Sequence, residues 1–141
     1  MYKFSNTSNE RLNACDKKLQ RVFRLAIEQS AIDFGIASGH RSVKQQQQLY
    51  AQGRTKPGNI FTHVDGIEKK SKHNYNPSQA VDIYAWTGEA SWDQKELCYL
   101  AGVIMGAAQS LNIDLRWGGN WDGDGQMISD QNFIDLPHFE L

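Results

Sequence analysis

The chain has 141 residues, 40% of them hydrophobic, and its 15 basic and 16 acidic side chains leave a net charge of −1. That length suits one domain with a core burying roughly 68–70% of the unfolded surface, and the charge balance excludes a global electrostatic grip on nucleic acid or anionic lipid. Two cysteines, Cys15 and Cys98, are too few for a disulfide framework and are expected as reduced thiols within helical stretches.

From Ser8 or Asn9, Leu12, Cys15, Leu19, Val22, Phe23 and Ala26 recur at three- and four-residue steps. This spacing predicts one amphipathic helix ending near Ser30, with Ser8 or Asn9 as its cap. A short strand is expected over Phe34–Ser38 and a helix over Val43–Gln52 closed by Gly53, so Arg41 falls at a strand-to-helix junction. The run Gln45 to Gln48 reads as a solvated helix face. Residues Arg54 to Ser78 show no period and read as a long loop, the kind that carries function. A strand over Ala80–Trp86, an apolar helix over Trp92–Leu111 capped by Ser91, a strand over Leu115–Trp117, a polar loop from Gly118 to Phe133 and a terminal strand over His138–Leu141 complete the expectation. The sum is an α+β domain, with a small antiparallel sheet packed against helices and two long loops.

Asp82 is the anomaly in this pattern. A carboxylate between Val81 and Ile83 is costly to bury unless it is paired, hydrogen-bonded or bound to a cation; otherwise it points to the exposed face beside Tyr84 and takes a surface partner. Upstream lie Ser71, Lys72 and His73. Downstream, Asp135-Leu-Pro-His138-Phe-Glu140 reads as a turn feeding a short edge strand, because Pro137 supplies no amide donor. In that strand His138 and Glu140 share a face.

Two histidines and a carboxylate are a frequent ligand set for catalytic zinc (Zn2+), which leaves one position for water. His73, Asp82 and His138 fit that set, Asp135 is the candidate proton shuttle, and Arg41 is either a partner for developing negative charge or one half of a surface ion pair. Glu140 is a candidate for orienting His138 or Arg41 from behind. Asp122 and Asp124, in a glycine-rich turn, offer hard oxygen ligands of the kind calcium (Ca2+) takes. An EF-hand is excluded there, since counting from Asp122 puts Phe133 at the twelfth position.

The stretches Ser71-Lys-His73 and Ala80-Val-Asp82, the closing Asp135-Leu-Pro-His138, and Ser38-Gly-His-Arg41-Ser with the helix after it resemble, in the expected order, the signature of the zinc D-Ala-D-Ala carboxypeptidase and L-alanyl-D-glutamate peptidase family. The likeness runs from about Ser38 to Leu141, and the layout is most similar to single-domain phage endolysins. It implies a DD-peptidase-like fold, zinc held by His73, Asp82 and His138, Asp135 as catalytic base and Arg41 as an aid to substrate or transition-state binding. Ser71, His40, Trp117, Trp121 and Glu140 would border the substrate groove or support the ligands. One departure is that eight residues separate His73 from Asp82, where many relatives have six.

The implied activity is hydrolysis of a peptidoglycan stem-peptide bond, L-alanyl-D-glutamate first. A D-Ala-D-Ala carboxypeptidase and a non-catalytic, zinc-containing wall-binding domain are the rivals. The start of the chain lacks the apolar core of a signal peptide and no stretch reaches transmembrane length. A monomer held in the host cytoplasm is therefore expected, with no membrane insertion, reaching the wall only through a separate holin-type pore.

Overall fold

The computed structural model describes all residues, Met1 to Leu141, and contains four α-helices and a five-stranded sheet. The helices are α1 (Asn6–Asn13), α2 (Lys17–Gln29), α3 (Val43–Ala51) and α4 (Gln94–Ser110); the strands are β1 (Asp33–Ser38), β2 (Ala80–Trp86), β3 (Ala90–Ser91), β4 (Arg116–Trp117) and β5 (His138–Glu140). All pairings are antiparallel, in the order β1-β2-β5-β4, with β3 on the far end of β2. The α+β architecture anticipated from the sequence is the one observed.

The expected first helix is two. It breaks at Ala14–Asp16, where the Asp16 N–H donates to the Ser78 carbonyl at 2.8 Å and the Ser78 N–H to the Ala14 carbonyl at 3.0 Å. Asp16 then caps α2 by accepting the Lys18 N–H. Apolar period runs straight through the break, since Leu12, Cys15 and Leu19 are all buried, so periodicity alone does not reveal it. Cys15 therefore sits in the break rather than in a helix. Both cysteines are free, and burial pushes the Cys15 thiol up to about 11. The α1 cap is Ser5, whereas Ser8 is buried and accepts the Ile36 N–H of β1 at 3.0 Å.

Two further expectations are corrected. Ser91 belongs to β3, and α4 starts later under Asp93, whose carboxylate accepts the Lys95 and Glu96 N–H groups. The terminal strand is not an edge: β5 lies between β2 and β4. Pro137 precedes its ladder and costs it no donor, and the Pro137 carbonyl accepts the Ile83 N–H.

One sheet face carries Phe34, Ile36, Val81, Ile83, Ala85 and Phe139, all buried in a 21-residue core with α2 and α4. Strand alternation turns Asp82, Tyr84, His138 and Glu140 to the opposite face. No helix is long and apolar enough to cross a membrane. Replacing Ser8 by Ala strands the Ile36 N–H without an acceptor and is expected to cost about 1–3 kcal/mol, read as a fall in the denaturant midpoint at unchanged slope.

Candidate active site

The sheet register builds the centre of the site. Asp82 on β2 lies directly opposite His138 on β5 and opposite Ser38 on β1. His73 reaches the same point from a one-turn 3-10 helix, Lys72–Asn74, that ends the long loop. The Ser71 hydroxyl accepts the His73 N–H and the Asn74 side chain accepts the Ser71 N–H, a reciprocal cap that fixes the turn. The Arg41 N–H donates to the His73 carbonyl at 2.8 Å, tying the strand-to-helix junction to that turn.

Both imidazoles have their outer nitrogen already used. His73 Nδ1 donates to the Gly39 carbonyl at 2.7 Å, and His138 Nε2 donates to Glu140 Oε1 at 2.9 Å. The remaining ring nitrogens face Asp82: His73 Nε2 lies 3.2 Å from Oδ2 and His138 Nδ1 lies 3.0 Å from Oδ1. His73 Nε2 is fully buried and has no hydrogen bond of proper geometry. The three ligand atoms lie within 4.8 Å of one another. An orphaned, inward-facing imidazole nitrogen beside a carboxylate and a second imidazole is a donor set that can hold a metal ion.

Electrostatics agree with the geometry. Burial opposes ionisation of Asp82, yet His73 and His138 hold its carboxyl far below the usual carboxylate range. Burial likewise works against a charged His138, but hydrogen bonds to Asp82 and Glu140 push it up to about 10. Negative side chains therefore concentrate at a point that favours a cation, whether proton or metal. The Glu140 carboxyl, opposed by burial, is brought down to about 2 by its bonds to His138 and to Arg116, whose guanidinium lies 2.8 Å away.

Asp135 stands beside this group without joining it, its carboxylate 4.0 Å from His138 Nδ1 and one third exposed. Its turn is pinned from below, because the Asp135 N–H donates to the Gly118 carbonyl and the Trp117 indole donates to the Leu136 carbonyl. A side chain at Gly118 would run into the Asp135 backbone, so the close approach requires glycine there. Burial and the neighbouring Asp82 push the Asp135 carboxyl up to about 6, against the pull of His138, His73 and Arg41. A carboxyl titrating there can both take and return a proton near neutral pH. It opens onto a cavity of about 360 Å3 that His73, Asp82, His138, Arg41 and Trp121 also line.

The remaining sequence candidates divide. Arg41 is buried and bound inward, to Asp82 at 3.2 Å, Ser38 at 3.3 Å and Gln46 at 2.9 Å, so it is no surface ion pair. Trp121 lies against His138, ring centroids 5.5 Å apart. Trp117 is buried in the core and also borders, with Trp121, Arg116 and Glu140, a cavity of about 870 Å3. Exposed His40 meets the Tyr75 carbonyl and is not part of the His73, Asp82 and His138 cluster. Asp122 and Asp124 gather with Asp130 in an exposed acidic group, where burial and hydrogen bonding with Asp124 raise the Asp130 carboxyl.

Sequence reasoning missed Gln46 and Arg116. Gln46 is fully buried, contrary to a solvated face for Gln45–Gln48; it receives Arg41 and donates to Thr62 and to the Val64 carbonyl. Its burial follows from the side of α3 that meets Arg41, which the run of four glutamines does not mark. Arg116 had none, since its partner Glu140 is brought alongside only by the β4–β5 register.

A buried donor set of this kind, open to a cleft and flanked by a carboxyl poised for proton transfer, fits a metal-dependent hydrolase. Residues 1–141 match the family model described as phage L-alanyl-D-glutamate peptidase, and the chain belongs to that family. It is 33% identical over 125 residues to the peptidoglycan L-alanyl-D-glutamate endopeptidase CwlK of Bacillus subtilis, covering 85% of this chain and 67% of that protein. It is 29% identical over 144 residues to the L-alanyl-D-glutamate peptidase of Escherichia phage T5, covering 99% and 98%. The L-Ala D-Glu endopeptidase ChiX of Serratia marcescens superposes with a TM-score of 0.73 at 27% identity, over 99% of this chain and 90% of that one. The chain is thus a peptidase of the peptidoglycan-hydrolysing kind, as its motifs imply.

A carboxyl raised on folding stabilises the fold fully only below its unfolded value, and that contribution is lost as pH rises through the folded value. In chelated, metal-free protein, Asp135→Asn is therefore expected to raise Tm relative to the parent increasingly between about pH 4 and about pH 7.5. Differential scanning calorimetry across that range checks it, and a pH-independent difference contradicts it.

Proposed function

We propose that this chain, acting as one peptidase domain, hydrolyses the amide bond between L-alanine and D-glutamate in the peptidoglycan stem peptide, with one zinc ion held by His73 Nε2, Asp82 and His138 Nδ1. The observation that carries the reading is the orphaned His73 nitrogen turned toward Asp82 and His138, with Asp135 next to the group. Bound there, zinc supplies Lewis acidity toward a carbonyl and lowers the pKa of water. The chain's own residues do the rest. Asp135 accepts a proton from the attacking water at its carboxylate and passes it to the leaving amine of D-glutamate. Arg41, paired with Asp82, sets positive charge beside the carbonyl, where oxyanion charge develops. Glu140, steadied by Arg116, keeps the His138 proton on Nε2 so that Nδ1 stays free for the metal.

The similarity to a phage peptidase supports a lytic role, in which the enzyme waits in the host cytoplasm and meets the wall as a monomer once a separate holin-type pore opens. Asp135→Asn is expected to lower the hydrolysis rate by about 10²–10⁴-fold while one zinc per chain remains bound, and His73→Ala to lose the metal as well. Elemental analysis and turnover on the same samples test both. Chelation should abolish wall clearing and zinc should restore it. Mass spectrometry of the digest should show new N-terminal D-glutamate; release of D-alanine instead would make the enzyme a carboxypeptidase.

A further inference from the structure

A second groove leads out of the cleft. It has a volume of about 800 Å3 and shares Arg41, Asp82 and Asp135 with the cavity over the metal-ligand group, so the two are continuous. Trp92, 57% exposed, lines it, and next to Trp92 stands Tyr84, itself beside Trp86, which is 46% exposed. Ring centroids of Tyr84 lie 6.5 Å from Trp86 and 6.1 Å from Trp92. The Tyr84 ring lies across Gly35 on the neighbouring strand, where any side chain would collide with it, so that ring is held against the sheet, with Trp86 inclined to it by 68° and Trp92 by 49°. Arg11, Ser38, His40 and Gln48 supply polar groups along the same groove. Large exposed aromatics beside a cleft mark a binding surface.

The cavity over the metal-ligand group carries more basic side chains than the groove, where Arg11 alone joins the shared Arg41. The cavity over the metal-ligand group is bordered by Lys70, Lys72 and Arg116, which complement the carboxylates that a stem peptide carries from D-glutamate onward. The aromatic groove faces the other way. On the L-alanine side of the scissile bond the substrate has no carboxylate; it has an N-acetylated sugar, joined through its lactyl group. The lactyl and alanyl units span roughly 7 Å when extended, and Asp82 and Tyr84, two residues apart on one strand face, are separated by roughly 7 Å.

On the reading of the chain as an L-alanyl-D-glutamate peptidase, we propose that Tyr84, Trp86 and Trp92 form a subsite for the N-acetylated sugar that bears the stem peptide. The axial C–H groups of a pyranose ring carry partial positive charge and stack on the negative face of an aromatic ring, while its hydroxyls and acetamide meet the polar groups of the groove. The enzyme thus reads glycan and peptide together and favours stems still attached to their strand.

The test compares two substrates, a muramyl stem peptide and the same peptide without sugar, on the parent and on Trp92→Ala and Trp86→Thr. The variants should lose about tenfold in kcat/KM on the muramyl peptide, the effect of one lost stacking contact, and stay within twofold of the parent on the free peptide; Trp92→Tyr should recover most of the loss. Indole resonances of Trp86 and Trp92 should also shift on adding a peptide-free N-acetylated glycan fragment. Equal losses on both substrates would assign the rings to the peptide, and unchanged rates or unmoved indole signals would leave the sugar no subsite; any of these overturns the proposal. If the parent cleaves neither substrate while the indoles shift, the peptidase reading fails and the sugar subsite stands.

Discussion

A single carboxylate organises this structure. Asp82 sits in the middle of a sheet, between two residues whose side chains enter the core, and turns to the opposite face with only 14% of its side chain exposed. Ionised there, it needs compensation from several directions. Arg41 supplies it from the β1–α3 junction, His138 from the paired strand and His73 from the loop turn. Each comes from a different part of the chain, so the burial of one acid obliges three distant segments to meet. The gathering of these groups is the fold's response to an electrostatic demand as much as a catalytic arrangement.

Around this point the support is layered. Gly39 and Glu140 hold the outer nitrogens of the imidazoles, Gln46 holds Arg41, and Arg116 holds Glu140. These contacts leave each ring one orientation, with its other nitrogen turned toward Asp82. Asp135 is kept out of the group by the tight packing of its turn on Gly118 and Trp117, and it owes its raised carboxyl to burial and to Asp82. One buried charge thus both completes a donor set that could hold a metal ion and tunes the adjacent acid.

Much of this was legible in the sequence. β2 announced itself by its apolar run, Asp82 by its place within it, and the meeting of His73, Asp82 and His138 by the order of three motifs. The failures have physical causes. The break before α2 is invisible to periodicity because Cys15 is buried like the helical residues on either side, and the one local sign was the capping residue Asp16. The interior position of β5 depends on β4, whose strand was legible at Leu115–Trp117 but whose pairing with β5 is a matter of register. Gln46 looked like its solvated neighbours because composition does not say which side of a helix meets an arginine. Arg116 became visible only through register, which is a property of pairing and not of local sequence.

Three consecutive residues of β5 divide their loyalties: Phe139 fills the core against Phe23, ring centroids 5.7 Å apart, while His138 and Glu140 turn the other way. A slip of one position in pairing would exchange them, burying an imidazole among hydrocarbon and putting a benzyl group where a ligand belongs. Packing therefore proofreads chemistry, since a misaligned strand loses stability at the moment it takes His138 away from Asp82. The turn from Gly118 to Asp135, which sets Trp121 against His138, therefore has to hand the chain back to β5 in phase.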